Sequence, residues 1–558
     1  MSAGAHAGVT AGASPDALAR RPARGATALR GGRRWRPTPY QAAGLLFWLV
    51  MTLAYWRVPL CCDAGQHAAV IERLRDDLLH PRLPMADLPG AGSPYYSPYA
   101  AAEGVFARLT GLGGWEVVRL AGPFNLLLLL TGLHRFVRTF TPRPWAPVLA
   151  LGAMTLLWGT ERVLWSGCPS LIAMTTDLGY PSTAALGLTL WAWALTGNRA
   201  RDTRRVRYVG PSGLRGFAGY GALGVLYGAI LLVHPITFMA TATGAVALVA
   251  GPQRGRRVTV VARWALTCAV ALLTAAVWPY CDVLALAGNG SLDAIHRELY
   301  DDLVGHYWLA LLPGLPALWL RARRHGCRDP LVLMFALDCL VVAYGRLSGH
   351  YTYGRVLGAA VLPPQIALAV ELAAPRPWRA GRRALGAVAA VAAGVGFCTV
   401  QAGAVVPRSL DPVGFEQPPH WPSYAWAARY IRPGEAVIAD GYRAKRLLPG
   451  YGPDLAAPTW PDPALDERER LRREADVDAY LADGSTRAER SAIARRYHVR
   501  WLLLTPRRRL PAEAVVVAWS GRTGEVLARI PGTAGDSGAG STGTPATPGS
   551  TGAPATPR

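Results

Sequence analysis

The stretch YQAAGLLFWLVMTLAYWRVPL, residues 40–60, runs directly into CCDAGQHAAVIERLRDDLLH, residues 61–80. The first stretch contains one charged residue, Arg57, and is long enough to cross a bilayer, which takes about 20 apolar residues. It is long for the apolar core of a signal peptide and has no clear small-x-small cleavage site. We therefore expect a membrane anchor that ends close to an acidic residue, Asp63.

The rest of the chain repeats this apolar pattern. Of its 558 residues, 51% are apolar and only 17% are charged, whereas soluble domains carry about 25% charged residues. Further apolar runs fall near 117–134, 145–159, 181–197, 216–233, 236–250, 258–281, 305–321, 329–345, 356–374 and 384–402. The sequence thus predicts an all-α polytopic membrane bundle of about eleven transmembrane helices.

The distribution of arginine predicts the orientation of this bundle. With the N-terminus inside, the inner segments hold 27 Arg and two acids, whereas the outer segments hold 8 Arg and 14 acids. This asymmetry is typical of the positive-inside rule, so we expect a multi-pass protein of the plasma (inner) membrane. The net charge of +23 is spread over short loops and predicts no nucleic-acid partner.

Four regions follow from this topology. Residues 1–39 are an Arg-rich tail that we expect to be disordered and cytoplasmic, and residues 40–404 form the membrane domain with a first outer loop at 60–116. Residues 405–531 alternate short helical and strand patterns, which predicts a small extracytoplasmic α/β domain. Residues 532–558 are rich in Gly, Ser, Thr, Pro and Ala and predict a disordered low-complexity tail.

Asp63 stands just beyond the first span and begins a predicted amphipathic helix at about Ala64–Leu79. One interpretation is that Asp63 caps this helix, with Gln66 completing a capping box. The other is that its carboxylate is a general base at the membrane surface. The residues alone leave both interpretations open.

Three features resemble the GT-C superfamily of membrane glycosyltransferases, which use polyprenyl-phosphate-linked sugars and include protein O-mannosyltransferases and lipid A aminoarabinose transferases. Asp63 stands at the position of the acid that these enzymes carry in the first outer loop. Tyr96–Tyr99, with Pro98, looks like their aromatic stretch, and HYTYGRVLGAAVLPPQIALAVEL, residues 350–372, is similar to a late span that opens with Arg and Tyr. The likeness in architecture covers most of residues 40–530.

The resemblance implies a transferase that moves a sugar from a polyprenyl-phosphate donor to a lipid, glycan or protein acceptor, with inversion. Asp63 would be the catalytic base, and Arg355 would hold the lipid phosphate through two oxygens. The alternative for Arg355 is that it only extends to the lipid headgroups. The other residues implied to bind substrate are His67, Tyr96, Asp177, His234, His350 and Tyr353.

Metal dependence stays open. The chain has no D-x-D or Asp-Glu pair after the first span, and we assign no metal ligands; a divalent ion is the remaining cofactor to consider. Asp302 and His306 have a spacing that could chelate one. His234 precedes Pro235 between two spans, where a turn residue is the ordinary explanation. The eight cysteines form no C-x-x-C pair and indicate neither a disulfide framework nor a zinc site.

Two other functions fit the same spans. A transporter would use Asp338, a carboxyl group in the middle of a span, as an ion or proton carrier. The absence of convincing sequence symmetry between the halves, together with the large C-terminal domain, fits a transporter poorly. An inactive relative that serves in envelope assembly would keep the fold without the chemistry.

Overall fold

The computed structural model describes residues 37–531, apart from 87, 89–91, 203–212, 251–256, 376–379 and 460–465. The predicted disordered tails, residues 1–39 and 532–558, lie outside this part except for residues 37–39. The described chain is mostly helical, with one small sheet near its C-terminal end. The fold class predicted from the sequence is therefore confirmed in its helical membrane part and its small sheet.

Each predicted span overlaps a helical segment. The helices that overlap the predicted spans are α1 Pro39–Arg57, α4 Gly114–Arg138, α5 Ala146–Leu156, α7 Pro181–Asp202, α8 Gly213–Val233, α9 Pro235–Ala250, α10 Arg257–Ala276, α12 Leu303–His325, α13 Pro330–Ser348, α15 Leu362–Leu372 and α16 Ala380–Gly396. Between and after them lie α2 Ala64–Asp76, α3 Pro98–Thr110, α6 Leu171–Asp177, α11 Asp293–His296, α14 Leu357–Ala360, α17 Ala402–Val405, α18 Ala425–Ala428, α19 Tyr442–Leu447, α20 Glu467–Leu481 and α21 Arg487–Arg496.

Six helical segments of the described chain are long and apolar enough to cross a membrane. They are Gly114–Arg138, Val258–Ala276, Leu303–His325, Pro330–Ser348, Tyr351–Leu372 and Ala380–Val405. Three shorter apolar helices accompany them, at Ala146–Leu156, Phe217–Val233 and Pro235–Ala250. The predicted number of eleven spans and the orientation of the termini stay predictions.

Local sequence signals explain where several helices begin and end. The side chain of Asp329 accepts a hydrogen bond from the backbone N–H of Leu331 at the start of α13, a standard N-cap. Asp302 accepts from the N–H of Gly305 in the same way at the start of α12. The α2 helix ends at Asp76, before the predicted Leu79, because Asp77 is extended and its carboxylate accepts two backbone N–H groups of the following turn.

The C-terminal module, residues 405–531, contains the sheet. Its strands are β1 Ala436–Ala439, β2 Asp454–Leu455, β3 Val499–Leu504, β4 Val515–Trp519 and β5 Val526–Arg529, in the order β2-β1-β3-β5-β4. The first three pair in parallel, and β5 pairs antiparallel with β3 and β4. The sequence predicts strands at 436–439, 499–505, 514–519 and 525–530, and β1, β3, β4 and β5 each agree with these ranges within one residue at both ends. The short strand β2 is not predicted.

Both faces of this sheet are covered, each by a different part of the chain. Val437, Trp501 and Leu503 belong to a buried cluster that includes Ala69 of α2 and Met85 of the first outer loop. The alternate side chains belong to a second cluster with α20 and α21; they include Ile438, Leu502 and Leu504. This alternation follows from the two-residue period of a strand. The module is therefore held between its own helices and the first outer loop.

A buried ion pair joins the module to α2. The Arg73 guanidinium contacts the Asp454 carboxylate on β2, and both side chains are 1% exposed. Arg73 also donates to the carbonyl of Gly452 (3.0 Å). The first outer loop adds to the sheet edge, because Ala86 bridges to Leu455 in parallel. The module and residues 60–116 therefore pack directly against each other.

We predict that Asp454→Asn strongly destabilises the module. The substitution leaves the Arg73 guanidinium buried without its counter-charge, which typically costs about 3–5 kcal/mol. The matched control is Glu467→Gln, which removes a carboxylate that is 53% exposed beside Arg470 and should cost less than about 1 kcal/mol. Thermal unfolding of the purified protein in detergent measures both. Equal unfolding temperatures for the two variants would contradict the assigned role of the ion pair.

Candidate functional site

Tyr180 fixes the turn that carries Asp63. Its hydroxyl donates to the carbonyl of Cys61 (2.8 Å) and accepts from the backbone N–H of Asp63 (3.1 Å). Tyr180 lies between α6 and α7 and is 3% exposed. The end of the first span is thereby held against a later part of the membrane domain.

The carboxylate of Asp63 does not cap α2. Asp63 occupies the N-cap position, but its side chain makes no capping hydrogen bond, so the capping interpretation is wrong for the carboxylate. Instead, the Nη1 atom of Arg446 lies 3.1 Å from its Oδ1 atom. The Asp63 side chain is 43% exposed, whereas that of Arg446 is 10% exposed. The carboxylate thus faces an opening, with the guanidinium beside it in the wall.

Arg446 reaches Asp63 because two backbones pass unusually close together. A Cβ atom at Gly65 would lie 2.1 Å from the carbonyl oxygen of Arg446 and 2.7 Å from the Cα of Leu447. Neither backbone atom can move away independently, so only glycine fits at this position of α2. The guanidinium of Arg446 also lies 4.5 Å from the ring centroid of Tyr442, within cation–π distance.

Arg355 is held beside the same group of residues by polar and aromatic contacts. Its Nη2 atom donates to the carbonyl oxygen (2.8 Å) and the hydroxyl (2.6 Å) of Ser166. Its guanidinium also lies 5.3 Å from the ring centroid of Trp165. These contacts come from the loop between α5 and α6, and they direct the side chain into the protein rather than toward lipid headgroups.

Two carboxylates lie within electrostatic reach of Arg355. Burial raises the pKa of Asp63, and the charges of Arg446 and Arg355 counteract this. Burial raises the pKa of Asp177 well above its usual range, again against the charge of Arg355. The Oδ2 atom of Asp177 is buried without a hydrogen-bond partner among the described residues. Burial therefore favours the neutral form of Asp177, whereas Asp63 faces two cations.

Two of the predicted histidines join this group. The His67 ring lies 4.6 Å from that of Tyr180 between ring centroids. Burial lowers the pKa of His67 to about 4. His234 accepts the backbone N–H of Thr237 through Nδ1 (3.1 Å), so it caps α9 as a turn residue. Burial lowers the pKa of His234, and the nearby charges of Arg355 and His67 lower it further.

His350 and Tyr353 lie next to Arg355 along the chain but contact different partners. The Nδ1 atom of His350 is 3.3 Å from Asp293 Oδ2, and the Tyr353 ring packs against Tyr344 and His350. Asp293 also accepts the N–H and hydroxyl of Thr352 (both 2.8 Å). These residues fasten the start of the Arg355 segment to the outer loop at 282–303.

Tyr96 lies in a separate buried cluster, with Val70 and Leu74 of α2 and Ala100 of α3. Its hydroxyl donates to the carbonyl of Arg82. These contacts join α2 to α3, so Tyr96 stabilises the fold of the first outer loop.

Among the residues that the structure describes, no group of three or more His, Cys, Asp or Glu side chains could hold a metal ion. Asp302 caps α12, and the Nδ1 atom of His306 is 3.2 Å from the carbonyl oxygen of Asp301. Both side chains of this pair thus have hydrogen-bond partners within the protein. The cations assembled around Asp63 are arginines.

Asp338, the carboxyl group in the middle of α13, is 1% exposed. Its Oδ1 atom accepts a hydrogen bond from the Thr243 hydroxyl at 2.5 Å. It thus has a structural partner on α9.

Four residues of this site had no signal in the sequence. Arg446 and Tyr180 contact Asp63, while Trp165 and Ser166 hold Arg355. Each is separated from its partner by more than a hundred positions along the chain. Periodicity and spacing describe neighbours along a helix or strand and carry no information about such pairs.

Solved structures with a similar fold include two membrane glycosyltransferases. The arabinofuranosyltransferase AftD from Mycobacteria matches with a TM-score of 0.53 and 15% identity, over 88% of this chain and 40% of its own. The archaeal oligosaccharyltransferase AglB from Archaeoglobus fulgidus, solved with an inhibitory peptide and a dolichol-phosphate, matches with a TM-score of 0.47 and 11% identity, over 84% and 69%.

The likeness to the arabinofuranosyltransferase confirms the resemblance to the GT-C superfamily at the level of the fold. This chain spans less than half of that protein's length. No protein-family model and no curated protein matches the sequence.

The low pKa of His67 predicts that acid destabilises the protein. The unfolded chain binds more protons than the folded one between the ordinary histidine pKa of about 6.5 and the folded value of about 4. Stability therefore falls as the pH falls through this window, by about 1–2 kcal/mol at pH 5. We expect His67→Gln to lose less stability than the wild type between pH 7 and pH 5 in thermal unfolding. The exposed His80 supplies the control, because His80→Gln should match the wild type at both pH values.

Proposed function

We propose that this chain is an integral membrane glycosyltransferase that moves a sugar from a polyprenyl-phosphate donor to an acceptor hydroxyl outside the cytoplasm. The observation that carries this proposal is the placement of Asp63. Its carboxylate is not used in capping, faces an opening at the end of the first span, and has Arg446 at 3.1 Å and the charge of Arg355 within reach. The fold shared with an arabinofuranosyltransferase supports the same class of reaction.

Arg355 suits the leaving group. When the bond between the sugar and the phosphate breaks, negative charge grows on the phosphate oxygens, and a fixed cation beside them lowers the barrier. Ser166 and Trp165 hold the guanidinium in place before any substrate arrives. The segment that follows, Leu357–Leu372, is apolar and continues as a candidate membrane span. A lipid phosphate at Arg355 would therefore have its tail beside apolar helices.

Asp63 is suited to the role of general base. Its carboxylate would accept the proton of the acceptor hydroxyl as the oxygen attacks the anomeric carbon. Asp177 is the other buried acid near Arg355, and burial raises its pKa, which disfavours the ionised form that a nucleophile requires. One available base without an enzyme nucleophile supports a single displacement, which inverts the anomeric carbon.

The remaining predicted residues fit supporting roles in this proposal. Burial lowers the pKa of His67 and of His234, so both rings are neutral and able to form hydrogen bonds with sugar hydroxyls. His350 and Tyr353 help to seat the segment that carries Arg355. The assay below compares several sugars and shows whether a lipid, a glycan or a protein accepts them.

A transporter is the weaker proposal. Asp338 would have to bind and release an ion, but it accepts a hydrogen bond from Thr243 in a buried contact between α9 and α13. No described observation places a second ion ligand beside it.

We predict that Asp63→Asn lowers sugar transfer by about 10²- to 10⁴-fold, the usual loss with a general base. Arg355→Gln should lower it by about 10²- to 10³-fold, through lost stabilisation of the leaving phosphate. The assay uses proteoliposomes with radiolabelled polyprenyl-phosphate arabinofuranose, mannose and aminoarabinose, with a membrane extract as the source of acceptors. EDTA and added Mg²⁺ or Mn²⁺ in parallel reactions measure metal dependence.

The matched controls are Asp76→Asn, an exposed acid on the same helix as Asp63, and Arg346→Gln, an exposed arginine close to Arg355 in the chain. Both should transfer sugar like the wild type. Full transfer by a correctly inserted Asp63→Asn variant would remove Asp63 from the mechanism. If the wild type transfers none of the sugars but binds a donor, the inactive relative becomes the better description.

A further inference from the structure

Arg446 is the group near Asp63 that comes from outside the membrane domain. It lies 383 positions further along the chain, on α19 of the C-terminal module. An ion pair between exposed side chains contributes little to stability. Here the Arg446 side chain is only 10% exposed, and the backbone of Arg446 packs against Gly65 of α2. The module therefore places a fixed cation at the carboxylate proposed as the base.

This contact opposes the work of a base. A guanidinium beside a carboxylate stabilises the charged form and lowers its proton affinity, and Arg446 has this effect on Asp63. It also occupies Oδ1, one of the two oxygen atoms that could receive a proton. In the state that the structure shows, Arg446 makes Asp63 a weaker base than burial alone would make it.

A donor that carries a phosphate changes the balance of charge at this site. Phosphate oxygens and carboxylate oxygens compete for the same planar guanidinium, which binds either in a forked geometry. The backbone of α19 is fixed by its close approach to Gly65, so the side chain of Arg446 can change partner without movement of the module. The exchange breaks the contact between Nη1 of Arg446 and Oδ1 of Asp63, which is 3.1 Å long.

We propose that Arg446 is a second phosphate-binding residue, which leaves Asp63 for the phosphate of the lipid donor and so releases the base when the donor is bound. This inference rests on the proposed function. It implies an ordered reaction in which Asp63 accepts a proton from the acceptor only after the donor has entered. Arg446 is thus a positioning residue for the base as well as a ligand of the phosphate.

Binding of undecaprenyl phosphate alone tests this exchange without any transfer reaction. Arg446→Gln should weaken binding by about 10-fold or more, as expected for a lost charge-assisted hydrogen bond, and Arg446→Lys should recover part of the loss. Asp63→Asn should tighten binding several-fold, because the competing carboxylate is gone. In the double variant Asp63→Asn/Arg446→Gln the tightening should disappear. Affinities can be measured by microscale thermophoresis in detergent.

Three controls separate the phosphate contact from other effects. Arg443→Gln removes an arginine on the same helix that lies over the Trp421 ring instead, and it should bind like the wild type. Undecaprenol, which lacks the phosphate, should bind the wild type and Arg446→Gln equally. Inorganic phosphate at millimolar concentration should compete weakly if the lipid tail contributes to binding; equal displacement at micromolar concentration would identify a site for free phosphate instead.

The two proposals fail in distinguishable ways. Unchanged binding in Arg446→Gln, or weaker binding in Asp63→Asn, overturns the exchange whatever the transfer assay gives, and leaves Arg446 as a structural contact. Retained transfer by Asp63→Asn overturns the role of the base but leaves the binding results intact.

If both proposals hold, the acid limb of the pH profile for kcat/KM should move to higher pH in Arg446→Gln, because Asp63 loses a neighbouring cation in the free enzyme.

Discussion

The buried ion pair between Arg73 and Asp454 is the contact on which the arrangement of the site depends. It joins a helix of the first outer loop to the edge of a sheet formed about 380 residues later. Because both groups are removed from water, loss of either one leaves the other as an uncompensated buried charge. Hydrophobic packing of Ala69 and Met85 against the same sheet adds to this contact. The docking brings α19, with Arg446, to Asp63.

The site that results is built from three distant stretches of chain. The end of the first span supplies a carboxylate, the segment after α13 supplies Arg355, and the module supplies Arg446. Tyr180 and Ser166 fix the first two from a fourth stretch. Two arginines lie near the partly exposed carboxylate of Asp63, while the second acid, Asp177, is buried and has a raised pKa. Such a distribution of charge suits an anionic ligand beside a base.

Much of the fold could be predicted from the sequence, because apolar runs and two-residue alternation report local burial. The strand Ala436–Ala439 has the predicted ends, and each expected span overlaps a helical segment. The two-residue strand at Asp454 has too few residues to show a pattern. Asp63, His67, Asp177, His234 and Arg355 were predicted for the site and do lie together. Arg446 could not be predicted, because the sequence around it carries no information about a partner 383 positions away.

The distance along the chain between Asp63 and Arg446 also has a consequence for biosynthesis. A ribosome makes the carboxylate early and the guanidinium only after every membrane helix has been made. A chain that stalls or is truncated before residue 446 can have its first span and outer loop in place, yet it lacks the cation beside Asp63 and the carboxylate partner of Arg73. The completed site thus shows that the chain has been made and folded at least as far as β2. Quality-control proteases would find unpaired charge in products that end before residue 446.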